Sequence, residues 1–180
     1  ATIKNPTFIS DAANKFGSST IVVAIEAIKQ TDGRYLAYVD NGREETGIEV
    51  IQWARQIEEL GAGELIITSV DREGTAEGFD IDLIKSISNV VNIPVIAHGG
   101  ASTMSNIIDA VQVGNASALA IASIFHYASM KKLLHTNSDN TEGNNTFKNS
   151  GKNFSIIEPC NISDVKNLFK INKIPCRPIN

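Results

Sequence analysis

The chain has 180 residues, 42% of them hydrophobic and 20% charged, enough apolar material for one core. Its formal net charge of −4 argues against nucleic acid or an anionic membrane as a partner, because both select a basic surface. No apolar run is long enough to span a bilayer, and the polar stretch Ala1–Pro6 does not read as a signal peptide.

Asn5-Pro6 leads into a helical segment that Gly17 ends. A first strand is predicted over Thr20–Ile25, closing on Glu26. Between Gly33 and Gly47, the run Tyr35-Leu36-Ala37-Tyr38-Val39 is followed by Asp40-Asn41-Gly42. Asn-Gly beside a strand pattern signals a hairpin, expected here to project from the strand ends. The segment Glu49–Leu60 places Ile51, Trp53, Ala54, Ile57 and Leu60 on one helical stripe. Further strands are predicted at Glu64–Ser69, Pro94–Ala97 and Ala118–Ala122, and further helices at Asp80–Val90 and Ser102–Val113, with Asp80 and Ser102 as N-caps. The tract His135–Asn153 is rich in Asn, Ser, Thr, Gly and Lys and reads as a mobile surface insertion. Beyond it, Ser163-Asp164 is expected to cap a last helix, Val165–Ile171. The expected division is thus 1–134, 135–153 and 154–180. Cys160 and Cys176 lack metal-ligand spacing and read as free thiols of a reducing cytoplasm.

The four strand candidates are apolar on consecutive positions, the pattern of parallel strands buried on both faces. Gly17, Gly61 and Gly114 each stand between a helix end and a strand start, and left-handed glycines there would end the helices. A repeating αβ unit leaves two architectures, an open doubly wound sheet or a closed barrel.

Three strand ends carry small residues. They are Thr68-Ser69-Val70-Asp71-Arg72-Glu73-Gly74-Thr75, Ala97-His98-Gly99-Gly100-Ala101-Ser102 and Ala120-Ile121-Ala122-Ser123-Ile124. Backbone amides can approach an anion closely there, and a following helix N-terminus adds its positive end. Each loop alone is equally a tight turn; three in register point to phosphate. Glu26, ending a buried strand, suits acid–base chemistry or a structural ion pair. Glu64 begins its strand and falls at the opposite end, where a stability role is the simpler reading. His98 and His126 are too isolated to argue for metal, and Asp71, Arg72 and Glu73 form a charge cluster or a solvated loop.

Taken in order, these motifs are specific. The segments Val22-Val23-Ala24-Ile25-Glu26, Gly61-Ala62-Gly63-Glu64, Gly78-Phe79-Asp80, Ile93-Pro94-Val95-Ile96-Ala97 and Ala122-Ser123-Ile124-Phe125-His126, with the Thr68–Thr75 loop and Gly99-Gly100, resemble the C-terminal half of the HisF family. HisF is the cyclase subunit of imidazole glycerol phosphate synthase. The resemblance runs from Ala1 to about Tyr127. It implies a TIM-type (β/α)8 barrel, of which this chain supplies four βα units, paired with a HisH-like glutamine amidotransferase subunit. Ammonia from the partner would pass through the barrel to a phosphorylated small-molecule substrate in histidine biosynthesis, in the cytoplasm, with no cofactor and no metal. By position, Gly74, Gly99, Gly100, Ala122 and Ser123 match the phosphate site, and Thr68 and Ser69 match rim positions near substrate. Glu64 matches the acidic member of the ammonia gate, which replaces the stability reading of that residue.

Three departures accompany the resemblance. Glu26 and Glu73 stand where the family has aspartates, the first of them catalytic, and His98 stands where it usually has serine. An added methylene moves a carboxylate by about 1.5 Å, and a misplacement near 1 Å can cost on the order of a hundredfold in rate. Asp-Arg-Glu-Gly and Ala-His-Gly-Gly resemble HisF-like paralogues found with surface-polysaccharide genes and linked to sugar amidation. A complete barrel needs about 250 residues. The chain by itself is therefore expected to be inactive, to bind phosphate at most, and to pair with the missing half-barrel.

Overall fold

The structure is a computed structural model that describes residues 2–134 and 156–178. The expected polar insertion at 135–153 lies outside the described residues.

Helix α1, Thr7–Phe16, precedes strand β1, Val22–Lys29. Strands β2, Tyr35–Val39, and β3, Glu44–Glu49, form the hairpin. Helix α2, Val50–Glu59, leads to β4, Glu64–Ser69; helix α3, Ile81–Ser88, leads to β5, Val95–His98. Helix α4, Met104–Gln112, leads to β6, Ala118–Ala120, which is followed by α5, Ser123–Leu134. A last helix, α6, spans Ile162–Ile171.

The six strands form one sheet in the order β3-β2-β1-β4-β5-β6. Strands β1, β4, β5 and β6 are parallel, and β2 and β3 add an antiparallel extension. The sheet's two faces differ. Val23, Ile25, Ala27, Leu65, Ile67 and Val95 are buried in one cluster with Ile9 of α1, Trp53 and Ile57 of α2 and Leu83 and Ile87 of α3. The alternate residues Val22, Ala24 and Ala118 are exposed, and Ile66 and Ile96 are half-buried. Helices on a single face exclude the doubly wound alternative, which needs them on both. The chain shows the strand–helix repeat of a TIM-type barrel that is not closed, and its open face corresponds to a barrel interior. The expectation of burial on both faces therefore holds for one face only: the apolar pattern is present, but among the described residues nothing covers the other side.

Several boundaries moved. β1 runs to Lys29 because its upper half, Glu26–Lys29, pairs with β2. The hairpin thus lies in the sheet rather than projecting from it. The third helix end also differs: Asn115, not Gly114, takes the left-handed backbone, at φ 60°. A side chain at Gly114 would instead meet Ala110 O at 2.7 Å. Thr103 rather than Ser102 caps α4, in a capping box with Asn106. Asn161 caps α6, with Asp164 returning the bond to the Asn161 amide at 2.8 Å.

Candidate functional site

Strand register builds the site. Glu26 is paired with Thr68, Thr68 with His98, and His98 with Ala120. Side chains in register on parallel strands share a face, so these four form one row across the open face at the strands' C-terminal ends. Beneath them lies the row Ala24, Ile66, Ile96 and Ala118, and below that Val22 and Glu64. Glu64 is therefore at the far end of the open face from Glu26.

Beyond the rim row, the loops after β4 and β5 lock together. The Gly78 amide donates to Gly100 O at 2.8 Å. Gly100 has φ 90°, and a Cβ there would collide with Gly78 O and come within 2.9 Å of Arg72 Cβ. Glycine is needed on both counts, backbone conformation and close approach. These loops and the start of α5 enclose a cavity of about 190 Å³ lined by Glu73, Gly74, Ala76, His98, Gly99, Gly100, Ala101, Ala120, Ile121, Ala122, Ser123 and Ile157. Helix α5 begins at this cavity, so its unpaired first amides add a positive end there.

The predicted residues divide accordingly. Glu73, Gly74, Gly99, Gly100, Ala122 and Ser123 all line the one cavity. Thr68 stands in the rim row, 8% exposed, with Oγ1 3.0 Å from His98 Nδ1. Ser69 instead falls on the helix-covered face with Leu65 and Ile67, away from the rim row; it is 2% exposed, and its hydroxyl donates to Asp80 Oδ2 at 3.4 Å. Glu26 lies outside the cavity, and its Oε2 accepts from the Gly42 amide at 2.9 Å. Strand spacing separates Glu26 from His98 by two strands, roughly 10 Å.

The cavity also takes in residues that the sequence did not single out for binding, among them Ala76, His98 and Ile157. The sequence marks His98 as a departure from the family's usual serine and as too isolated to argue for metal; among the described residues no group of three or more His, Cys, Asp or Glu side chains is placed to hold one. Ile157 reaches the cavity from the segment after residue 155; the Glu158 amide donates to Ser102 O at 2.8 Å and fixes its place. No local pattern marks such a contact, because it depends on α6 packing. Cys160 and Val165 do that packing against Ile107 and Ile124. Cys160 and Cys176 are free thiols, and burial pushes the Cys160 thiol above its ordinary pKa.

Comparison with known proteins bears on this arrangement. The family described as "Histidine biosynthesis protein" matches residues 1–131. The imidazole glycerol phosphate synthase subunit HisF of Alkaliphilus metalliredigens (strain QYMF) is 50% identical over 125 residues, covering 69% of this chain and 50% of that protein. The chain thus spans about half the length of the curated relative it matches.

Proposed function

The chain belongs to the histidine biosynthesis protein family, and on that premise we propose that it is the phosphate-binding half of a HisF-type cyclase barrel. The observation that carries this reading is the single cavity at the ends of β4, β5 and β6. It gathers Gly74, Gly99, Gly100, Ala122 and Ser123 from three separate loops. One phosphate group of the substrate sits there on backbone amides and the first turn of α5. The reacting part of the substrate extends along the rim row toward Glu26, a span of roughly 10 Å. Glu26 exchanges protons with the reacting atoms, and Glu73 does so from the cavity side.

The complete barrel takes ammonia from a HisH-like glutamine amidotransferase docked at the opposite end. Glu64 belongs to the entrance, and the small and apolar row of Ala24, Ile66, Ile96 and Ala118 lines the route to the rim. Ammonia closes the imidazole ring in the histidine pathway, in the cytoplasm. Among the described residues no helix is long and apolar enough to cross a membrane. The other four βα units complete the barrel by covering the open face.

A second reading is favoured by one observation. Glu26 does not point freely at the rim but is held by the Gly42 amide at 2.9 Å. Together with Glu73 and His98, this fits a HisF-like paralogue that delivers ammonia for amidation of a surface-polysaccharide sugar.

Two experiments separate these readings. Calorimetry with inorganic phosphate should show binding that Gly100→Asp abolishes; equal binding by the variant would remove the phosphate assignment. In a cyclase-deficient auxotroph, the chain joined to the four N-terminal βα units of the Alkaliphilus subunit should restore growth. Failure that Glu26→Asp repairs would move the assignment to the paralogue. Phosphate binding with no turnover in either form would leave a non-catalytic half-barrel.

A further inference from the structure

His98 ends β5 in the rim row and lines the cavity beside Gly99 and Gly100. Its Nδ1 is 3.0 Å from Thr68 Oγ1. Thr68 is 8% exposed, and among the described residues its hydroxyl has no other side-chain hydrogen bond. A hydroxyl that gives its proton to Nδ1 sets the neutral imidazole as the Nε2–H form. Nε2 has no partner among the described residues, so it is the ring atom left to serve the cavity. Acidic Glu73 also lines that cavity, and among the lining residues His98 is the sole basic one.

We propose that His98 is a direct ligand of the bound phosphate, donating from Nε2 to a phosphate oxygen while Thr68 holds the ring in place. The inference rests on the phosphate reading of the cavity and adds a side-chain donor to a site otherwise made of backbone. Nε2–H donates in both the neutral ring and the imidazolium, and it offsets the repulsion from Glu73.

The test uses the full chain with ¹⁵N-labelled histidine, titrated with inorganic phosphate at fixed pH, beside calorimetry of the wild type, His98→Asn and His98→Gln. Bound phosphate should shift the His98 Nε2 resonance. His98→Asn, whose amide stops near the Nδ1 position, should weaken phosphate binding roughly tenfold, the loss of one charge-assisted hydrogen bond. His98→Gln, whose amide reaches the Nε2 position, should recover most of it, which a general loss of folding would not allow. An Nε2 resonance unmoved by bound phosphate, or unchanged affinity in His98→Asn, overturns the assignment of His98. Absence of phosphate binding to the wild type is a separate failure, since it removes the cavity reading and His98's role with it.

Discussion

Asp80 shows how one residue acquires more work than its local pattern reveals. As the N-cap of α3 it accepts from the Leu83 amide at 3.1 Å, the role that the helical pattern predicts. It also accepts from the Tyr35 hydroxyl, at 2.9 and 3.0 Å to its two oxygens, tying the hairpin to α3. Burial raises the Tyr35 pKa above its ordinary value near 10, and the hydrogen bond and charge of Asp80 raise it further. In alkali the folded chain therefore keeps a proton that the unfolded chain has lost. The resulting stability is complete below pH 10 and declines as pH rises above it. Tyr35→Phe is expected to lower stability by about 1 kcal/mol at neutral pH. It should also flatten the fall in stability above pH 10, as read from urea melts of both proteins. An equally steep fall in the variant would show that Tyr35 is not the group responsible. Tyr35 lies 45 positions from Asp80, so no sequence spacing connects them.

The hairpin is the element where sequence and structure agree on the turn and differ on its place. Asp40 and Asn41 both have φ 56° and Gly42 has φ 75°, the left-handed backbone that Asn-Gly signals. The position follows from two contacts the pattern does not encode. Glu26 accepts from the Gly42 amide, and a Cβ on Gly42 would come within 2.7 Å of Val70 Cγ1. The turn is therefore seated over the rim between β1 and the loop after β4. Gly42→Ala is expected to displace it and cost about 1 kcal/mol or more, since strain and collision act together. Adding Val70→Ala should recover only the part due to collision. Glu26→Asp should speed hydrogen exchange at the Gly42 amide while the turn remains formed, because the shorter carboxylate no longer reaches it. Unchanged exchange would mean that Glu26 does not hold the turn. The length of the Glu26 side chain thus has a physical counterpart: its carboxylate has a fixed partner in the Gly42 amide.

At the scale of the molecule, the sheet does not close into a barrel. Its edges are blunted, β3 by Glu44, Glu45 and Glu49 and β6 by its three-residue length. Among the described residues, the lower part of β1, Val22–Ile25, has no strand partner on the hairpin side, because β2 pairs only from Glu26 upward. Beside it, Phe8 and Val22 are 55% and 45% exposed and line a cavity of about 160 Å³. A further βα unit fits this edge, and the open face continues from it across Ile66 and Ile96. The chain should therefore bind an apolar dye or self-associate when alone, and co-purify with the four N-terminal units of a HisF subunit. The double change Ile66→Asp and Ile96→Asp should weaken that pairing roughly 100-fold, from the burial lost at two isoleucines. The helix-covered core should keep its circular dichroism. Undiminished pairing, measured by light scattering, would mean that the halves meet elsewhere.

Sequence alone determined the repeat, the helix-facing stripes, the hairpin turn and the three glycine- and serine-bearing loops. Each of these depends on residues close together in the chain, where periodicity and backbone preference act directly. Tertiary structure alone decided which loops share a cavity, that Ser69 faces α3 while Thr68 faces His98, and that Glu26 is held by Gly42. It also decided that Ile157, far along the chain from the three loops, lines the same cavity. Those outcomes are set by strand register and by helices packing on one side of a sheet. A one-residue change of register would turn every rim side chain to the opposite face, and no local pattern carries that information.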